Sequence, residues 1–424
     1  MSRSTASGSS PRSRRGREGS VSEARHRDPE AIRAALLPTR YLPALDGLRA
    51  VAVVLVIASH AAPAHLVPGG FGVTLFFFLS GYLLTGQMVA EQARTGGIAF
   101  GGFYLRRVLR LMPAALAFLL VAGLAFAAWG GTITPAGWLS ALFYGANLYE
   151  VFSGYASDLP VAGASGAMVP HPFAILWSLA IEEQFYLVWP VLLLGLLRRG
   201  GWRGAAWGLA GACLAALVWR ACLYRLCLQG APGAVCGVEW YNRLYAGTDT
   251  RLDSLAFGAL AAVLVVRGDP RRLAALVGAR GVQAAAWLVL AGSLAWRDPY
   301  FREVVRYTVQ GLALAVVLAP LVARPGPGRR LLESGPMLFL GRISYSLYLW
   351  HWFAAMLASH LVPPRGPGFV ALYLALTAAL SLASWYGIER PMIALRRRAG
   401  SHARAAGPSE GPAPRAGARA GSAA

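Results

Sequence analysis

Residues 45–60 read LDGLRAVAVVLVIASH, an apolar run that carries one arginine, one aspartate and one histidine. A helix turns 100° per residue, so the eleven residues from Arg49 to His60 complete three turns to within about 20° and place both side chains on one face. The helical rise separates them by roughly 16 Å. Polar side chains are costly inside a membrane-spanning helix, so both are functional candidates. We expect one to lie near an interface and the other deeper.

The composition excludes an ordinary soluble domain. The chain has 424 residues, 56% of them hydrophobic, and its mean hydropathy is +0.49. Several nearly uncharged stretches reach the roughly 17–25 residues that a helix needs to cross the hydrocarbon core of a bilayer. We therefore expect an all-α, polytopic helix bundle with about ten transmembrane helices, embedded in the lipid bilayer of the cell membrane.

The arginines set the expected topology. The net charge is +21, no lysine occurs, and the arginines gather near the two ends of the chain and in alternate loops, which is typical of an oriented multi-pass protein and argues against nucleic-acid binding. This pattern predicts that both termini are cytoplasmic and that segment 136–151 is re-entrant or interfacial. Loop 297–306 is the exception, since it carries three arginines on the expected outer side. The predicted spans are about 47–66, 71–90, 111–130, 173–197, 203–224, 245–266, 282–298, 306–323, 338–360 and 368–388.

The two ends of the chain differ from its middle. Residues 1–40 are rich in Ser, Arg and Gly, and residues 396–424 in Arg, Ala, Gly and Pro, so both are predicted to be disordered basic tails around a membrane domain of 41–395. The four cysteines form no CxxC pair, so no metal site is expected. A disulfide between Cys227 and Cys236 and unpaired cysteines are equally consistent with their spacing.

Arginines define a second motif, FYLRRVLRLMP at 103–113. It brings Arg106, Arg107 and Arg110 to the expected cytoplasmic mouth of a span, where Arg106 and Arg110 lie four residues apart and could face one ligand. Guanidinium groups bind phosphates well. An anchor that contacts lipid head groups explains these residues equally well.

Adjacent glutamates define a third motif, LWSLAIEEQFYLVWP at 176–190. Glu182 and Glu183 are expected near the middle of a span, where two carboxylates are costly and cannot both face lipid. One is expected to orient a histidine or an arginine, and the other to be satisfied by a polar neighbour such as Gln184. A purely structural ion pair is the alternative for one of them.

The fourth motif, GTDTRLDSL at 247–255, enters a predicted span from outside. Its Arg251 and Asp253 are candidates for binding a polar acceptor molecule. The simpler interpretation, which we favour at this stage, is that Arg251 pairs with a carboxylate of its own or a neighbouring helix.

The fifth motif, LGRISYSLYLWHWF at 340–353, combines aromatic and polar residues. Ser344, Tyr348 and His351 lie at i, i+4 and i+7 and form a polar stripe, so the last two are candidates for contact with substrate. For His351 alone, a packed, hydrogen-bonded histidine is favoured over a second catalytic base.

Together and in this order, the five motifs resemble the acyltransferase-3 family of membrane O-acyltransferases, over about residues 41–395. The arginine–histidine pattern is weak alone but becomes specific with FYLRR, WSLAIEEQFYL, RLDSL and SYSLYLWH. The resemblance implies transfer of a short acyl group, acetyl or similar, from acyl-CoA to a hydroxyl. The implied acceptor is a cell-surface glycan or a glycosylated metabolite such as a macrolide. Acyl-CoA would be a co-substrate, with no permanently bound cofactor.

The resemblance also implies roles for single residues. His60 matches the essential histidine of the family, which would take the proton of the acceptor hydroxyl, and Arg49 matches its partner. Glu182 and Glu183 match the paired glutamates. Thr74 stands where many members have an aspartate, which puts in doubt a carboxylate function at this position. The arginines expected to meet the acyl-CoA phosphates are Arg106, Arg107 and Arg110.

Two other classes of function fit the composition. A transporter or flippase for a lipid-linked or polyketide substrate is one, although the sequence has no inverted repeat of broken helices. A non-enzymatic assembly partner in envelope biogenesis is the other. The residues leave open the acyl chain, the acceptor, a covalent acyl-enzyme and the oligomeric state.

Overall fold

A computed structural model of the chain is a bundle of α-helices. It describes residues 28–62, 66–153, 158, 161–228, 240–364 and 366–395. Residues 1–27 of the predicted N-terminal tail, the whole predicted C-terminal tail and Cys236 lie outside the described residues. Cys227 is disulfide-bonded. In chain order the helices are α1 Pro29–Leu36, α2 Pro43–Ala61, α3 Gly69–Thr95, α4 Phe100–Ala128, α5 Pro135–Leu142, α6 Ala146–Ser153, α7 Trp177–Leu228, α8 Trp240–Ala246, α9 Thr248–Arg267, α10 Pro270–Gly278, α11 Arg280–Ala295, α12 Arg306–Ala323, α13 Pro327–Leu332, α14 Gly335–Arg342, α15 Ser344–Leu361 and α16 Pro367–Ser384.

The prediction of an all-α, multi-pass membrane protein is confirmed. Within the described residues, six helical segments are long and apolar enough to cross a membrane, and the pair α10 and α11, bent by 69°, makes a possible seventh. Ten spans and cytoplasmic termini remain predictions. Two short strands, β1 Val161–Ala162 and β2 Met168–Val169, form an antiparallel hairpin that the sequence did not predict.

Helix α3 packs closely against α9 through a reciprocal pair of glycines. A Cβ atom at Gly81 would lie 2.0 Å from the carbonyl oxygen of Leu255, and one at Gly258 would lie 2.0 Å from that of Phe78. Neither site has room for a side chain because backbone meets backbone there. Small residues permit this close approach between membrane helices. The contact fixes the position of Arg251, which lies on α9 one turn before Leu255.

Helix α7 is continuous in hydrogen bonding but breaks at Gly201, where φ is +59° and ψ is −162°. Glycine tolerates this backbone conformation because it has no Cβ. The break falls between the predicted spans 173–197 and 203–224, so α7 contains both of these spans. Segment 136–151 is not a single crossing, as predicted, because α5 and α6 have 8 residues each.

The predicted N-terminal tail, 1–40, extends too far. Residues 29–36 form α1, whose Ile32 and Leu36 are buried. The Arg33 Nε donates to the carbonyl oxygen of Val265, 3.2 Å away near the end of α9. Composition alone missed α1 because two apolar side chains on one face of an eight-residue helix are too few to change the average of a basic segment.

Candidate active site

A pocket lies between helices α2, α3, α4, α7 and α15. Phe76 and Phe77 form part of its apolar wall. Residues from four of the five sequence motifs therefore converge on one cavity. Its polar lining consists of Arg49, Ser80, Arg107, Arg110, Ser178, Glu182, Tyr186, Ser344, Tyr345 and Tyr348.

Three arginines from α2 and α4 line this pocket. The guanidinium carbon of Arg107 lies 4.7 Å from the centre of the Tyr186 ring, and Arg49 Nη1 lies 3.6 Å from Asp46 Oδ1. Arg110 completes the group. Three guanidinium groups at one cavity, with few carboxylates to neutralise them, form a site suited to a multiply charged anion.

Arg106 does not belong to this group. Its side chain is exposed, and the pocket is lined by Arg107 and Arg110 instead. The structure therefore brings Arg107 and Arg110 together at the pocket, and not the expected pair of Arg106 and Arg110. Neighbours three and four residues apart share a helix face equally well. Only the rotation of α4 about its axis within the bundle decides which pair points inward.

Glu182 is the carboxylate of the pocket. The Ser80 hydroxyl of α3 donates to Glu182 Oε1, and the Tyr186 hydroxyl lies 3.4 Å from the same oxygen. Two hydroxyl groups therefore orient one carboxylate on the side of the pocket that also holds Arg49 and Arg107. These contacts of Glu182 are to hydroxyl groups, so the expectation that one of the paired glutamates orients a histidine or an arginine stays a prediction.

Glu183 does not line the pocket, and the expected help from Gln184 takes a different form. The Gln184 side-chain amide donates to the carbonyl oxygen of Tyr144 at 2.8 Å and to Asn147 Oδ1 at 2.9 Å. The hydroxyl of Thr248 donates to Gln184 Oε1 at 2.5 Å. Gln184 thus ties α7 to α6 and α9 and leaves the glutamates to other partners.

Tyr348 and His351 extend the polar lining beyond the pocket. The hydroxyls of Tyr348 and Ser178 are hydrogen-bonded to each other, and the Tyr348 ring centre lies 5.6 Å from that of His351. His351 is fully buried, with Nδ1 3.1 Å from the carbonyl oxygen of Leu347. A carbonyl oxygen only accepts, so Nδ1 carries the proton and the neutral ring presents a lone pair at Nε2. That Nε2 atom has no partner among the described residues.

His60 lies next to His351 but outside the pocket lining. The two ring centres are 5.3 Å apart, and the Trp352 ring centre is also 5.3 Å from His60. His60 is exposed and one residue from the end of α2. The predicted span 47–66 is therefore too long at its C-terminal end, because α2 ends at Ala61. Tyr348 and His351 stand between the pocket and His60.

Residues 42–386 match the family model of an acyltransferase domain, acyltransferase-3. The chain belongs to this family.

Relatives of this chain agree with that assignment. The O-acetyltransferase OatA of Staphylococcus aureus strain NCTC 8325 is 30% identical over 369 residues, which cover 83% of this chain and 57% of OatA. A protein of S. aureus strain COL named "Putative O-acetyltransferase SACOL0978" is 31% identical over 364 residues, with the same coverage of 83% and 57%. The chain thus spans little more than half the length of these relatives. No solved structure matches it significantly.

Arg251 and Asp253 do not act as a pair. Asp253 Oδ2 lies 2.7 Å from Arg220 Nη2 on α7 and accepts a hydrogen bond from the Thr308 hydroxyl at 3.1 Å. Both members of this ion pair are fully buried. Asp253 is therefore committed to holding α7, α9 and α12 together. The favoured pairing of Arg251 with a carboxylate is not seen among the described residues, where Arg251 donates a hydrogen bond to Thr74 Oγ1 at 3.3 Å.

Sequence reasoning missed two polar groups near the site. Glu389 in the π-helical segment after α16 is buried and accepts a hydrogen bond from the Ser346 hydroxyl. An acidic residue directly after the predicted span 368–388 was the available signal. His171 Nε2 lies 2.9 Å from Asp158 Oδ2, and the His171 carbonyl oxygen accepts from Trp352 Nε1 at 2.9 Å. This loop contact holds the indole that touches His60, and no sequence spacing indicated it.

Proposed function

We propose that this chain is an integral membrane O-acyltransferase that moves a short acyl group from acyl-CoA to a hydroxyl of a cell-surface glycan or of a glycosylated metabolite such as a macrolide. One observation carries the proposal. Tyr348 lines the arginine-containing pocket, its ring lies beside His351, and the His351 ring lies beside His60. Cation cluster and candidate base are thus linked through the interior of the bundle. The names of the relatives favour acetyl as the acyl group.

In this proposal the nucleotide of acyl-CoA binds at the arginines. Arg49, Arg107 and Arg110 face the phosphates, and Glu182 orients the guanidinium groups beside it. A chain with ten spans and both termini in the cytoplasm of a cell would open this pocket towards the side where acyl-CoA is present. The pantetheine arm then runs along the stripe from Arg49 towards His60, roughly 16 Å by the helical rise.

His60 serves as the general base. It takes the proton of the acceptor hydroxyl, and the oxygen attacks the thioester carbonyl carbon to form a new carbon–oxygen bond. The carbon–sulfur bond then breaks, and the proton passes from His60 to the departing CoA thiolate. His351 and Tyr348 lie between the pocket and His60, so the hydrogen bond between the hydroxyls of Tyr348 and Ser178 must open to admit the thioester.

The test of the base is His60→Ala, with His360→Ala as the matched control. His360 also lies one residue from a helix end, but its ring stacks on Trp129, with centres 4.4 Å apart. Cells expressing each variant receive labelled acetate, and base-labile acetyl esters are counted in the glycan and small-molecule fractions. We expect loss of label only with His60→Ala. Label retained by a correctly inserted His60→Ala protein contradicts the proposed base.

The test of the donor site uses the exposed Arg106 as its control. Arg107→Ala combined with Arg110→Ala should raise the KM for acetyl-CoA about tenfold or more, since each lost charge-assisted contact contributes about 1.5–3 kcal/mol. Arg106→Ala should leave this KM unchanged. Equal effects of both changes contradict the assignment of the phosphates to the pocket. Movement of a labelled glycolipid across proteoliposomes without acetyl-CoA consumption would instead support a flippase.

A further inference from the structure

Arg251 is a buried cation that forms no ion pair among the described residues. Its side chain has no exposed surface. Nη2 donates to Thr74 Oγ1 at 3.3 Å, while Nε and Nη1 have no hydrogen-bond partner among the described residues. No carboxylate of the described chain lies within ion-pair distance of it. A guanidinium cannot lose its charge in a protein, so this arginine stays cationic in a dry environment.

Aromatic rings surround the guanidinium on several sides. Its central carbon lies 3.8 Å from the Tyr307 ring centre, 5.4 Å from Tyr245, 5.6 Å from Trp177 and 5.7 Å from Phe77. Ring faces attract a cation, by about 0.5–2 kcal/mol each. They offer no acceptor comparable to an oxygen for the in-plane N–H groups, so two donor nitrogens remain to be satisfied.

These four rings, Phe77, Trp177, Tyr245 and Tyr307, form an aromatic cage that adjoins the active-site pocket. Phe77 lines that pocket, and Trp177 is followed directly by Ser178, whose hydroxyl is bonded to Tyr348 there. The cage also belongs to the His60 end of the bundle. Thr74 lies one turn from Gly70 at the start of α3, and Gly69 beside it packs on Ser59, the neighbour of His60.

We propose that Arg251 binds an anionic group of the acceptor, a carboxylate or a phosphate, while a hydroxyl of the same molecule reaches His60. The inference rests on the proposed acyl transfer and names the class of its acceptor. Unpaired buried charges are strongly unfavourable, and no described residue accepts a hydrogen bond from Nε or Nη1 of Arg251, so these donors favour an anionic ligand. The aromatic rings of the cage provide flat apolar faces against which a sugar ring packs.

Residue 74 decides that the site stays open. A carboxylate at this position would lie beside Arg251 Nη2 and form an ion pair within the protein, whereas the Thr74 hydroxyl is a neutral acceptor. Asp253, two residues from Arg251, cannot take over because it is paired with Arg220. The substitution Thr74→Asp therefore supplies an internal competitor for the anion, and Thr74→Asn is its neutral control of the same size.

The test measures binding without acyl transfer. Purified full-length protein in detergent is heated with D-glucuronate, glucose 6-phosphate, inorganic phosphate or D-glucose, and a ligand that binds the folded state raises Tm. We expect glucuronate or glucose 6-phosphate to raise Tm of the wild type and of Thr74→Asn, and Thr74→Asp to bind about tenfold or more weakly. Glucuronate alone would assign a carboxylate, and glucose 6-phosphate alone a phosphate.

Other outcomes overturn the inference. They are an equal effect of D-glucose, an effect of inorganic phosphate alone, no effect of either sugar anion, or an effect that Thr74→Asp leaves intact. The labelled-acetate experiment separates this result from the enzyme activity. Sugar-anion binding without any acetyl ester keeps the Arg251 site and rejects the acyltransfer proposal. Acetyl esters formed without sugar-anion binding do the reverse.

Discussion

Two fully buried arginines, Arg220 and Arg251, lie on neighbouring helices and contact the same Tyr307 ring, with guanidinium carbons 5.4 Å and 3.8 Å from its centre. Arg220 donates to two carbonyl oxygens, to Asp253 and to the Thr308 hydroxyl. Within the described part of the chain, Arg251 donates to Thr74 alone. The first is a finished structural contact, and the second is a cation whose donors are left for a ligand. Burial alone does not separate structure from function; the number of satisfied donors does.

The largest expected effect comes from breaking the finished pair. Asp253→Asn removes the charge that compensates Arg220, so the free energy of unfolding should fall by about 3–5 kcal/mol. Denaturant unfolding in detergent micelles measures this change. The control is Glu333→Gln, which breaks a partly exposed pair with Arg329 at 2.8 Å and should cost less than about 1 kcal/mol. Equal losses in both variants would show that Arg220 is not the more tightly held arginine.

A smaller effect of opposite sign is expected at the other arginine. Thr74→Asp gives Arg251 a charged acceptor, and the free energy of unfolding should rise by about 1–3 kcal/mol, the range for a hydrogen bond to a charged group. Thr74→Asn should gain less because it adds no charge. The same unfolding experiment measures both. A Thr74→Asp protein less stable than Thr74→Asn would mean that Arg251 is already compensated.

The smallest effect is expected when Arg251 itself is removed. Arg251→Met loses the attraction to the ring cage but also removes an unpaired buried charge, so stability should stay within about 1 kcal/mol of the wild type. Arg220→Met should be clearly less stable because it leaves Asp253 unpaired. Thermal unfolding of the two variants side by side makes the comparison. A loss at Arg251 as large as that at Arg220 would remove the distinction between them.

Much of the architecture was predictable because membrane helices are dictated locally. The apolar runs predicted most helices, and the five motifs predicted the family. The break at Gly201 falls between the predicted spans 173–197 and 203–224. Prediction was weaker at helix ends. The predicted span 47–66 extends past the end of α2 at Ala61. The proline at position 63 was the available signal for that end, because proline commonly follows a helix C-terminus.

Side-chain partners across helices were the least predictable. Arg220 and Asp253 are separated by 33 residues, and Ser80 and Glu182 by 102. Several arrangements of the same helices would satisfy the apolar pattern equally well. The close contact of Gly81 and Gly258 selects one of them and thereby decides which polar groups meet.

The sequence by itself determined that this chain is a membrane helix bundle of the acyltransferase-3 family, because hydropathy, arginine placement and local motifs are properties of short segments. Tertiary structure alone decided that Arg107 and not Arg106 faces the pocket, and that Asp253 serves Arg220 and leaves Arg251 open. The physical reason is that helix rotation and close packing are set by contacts between distant segments, which no single segment encodes.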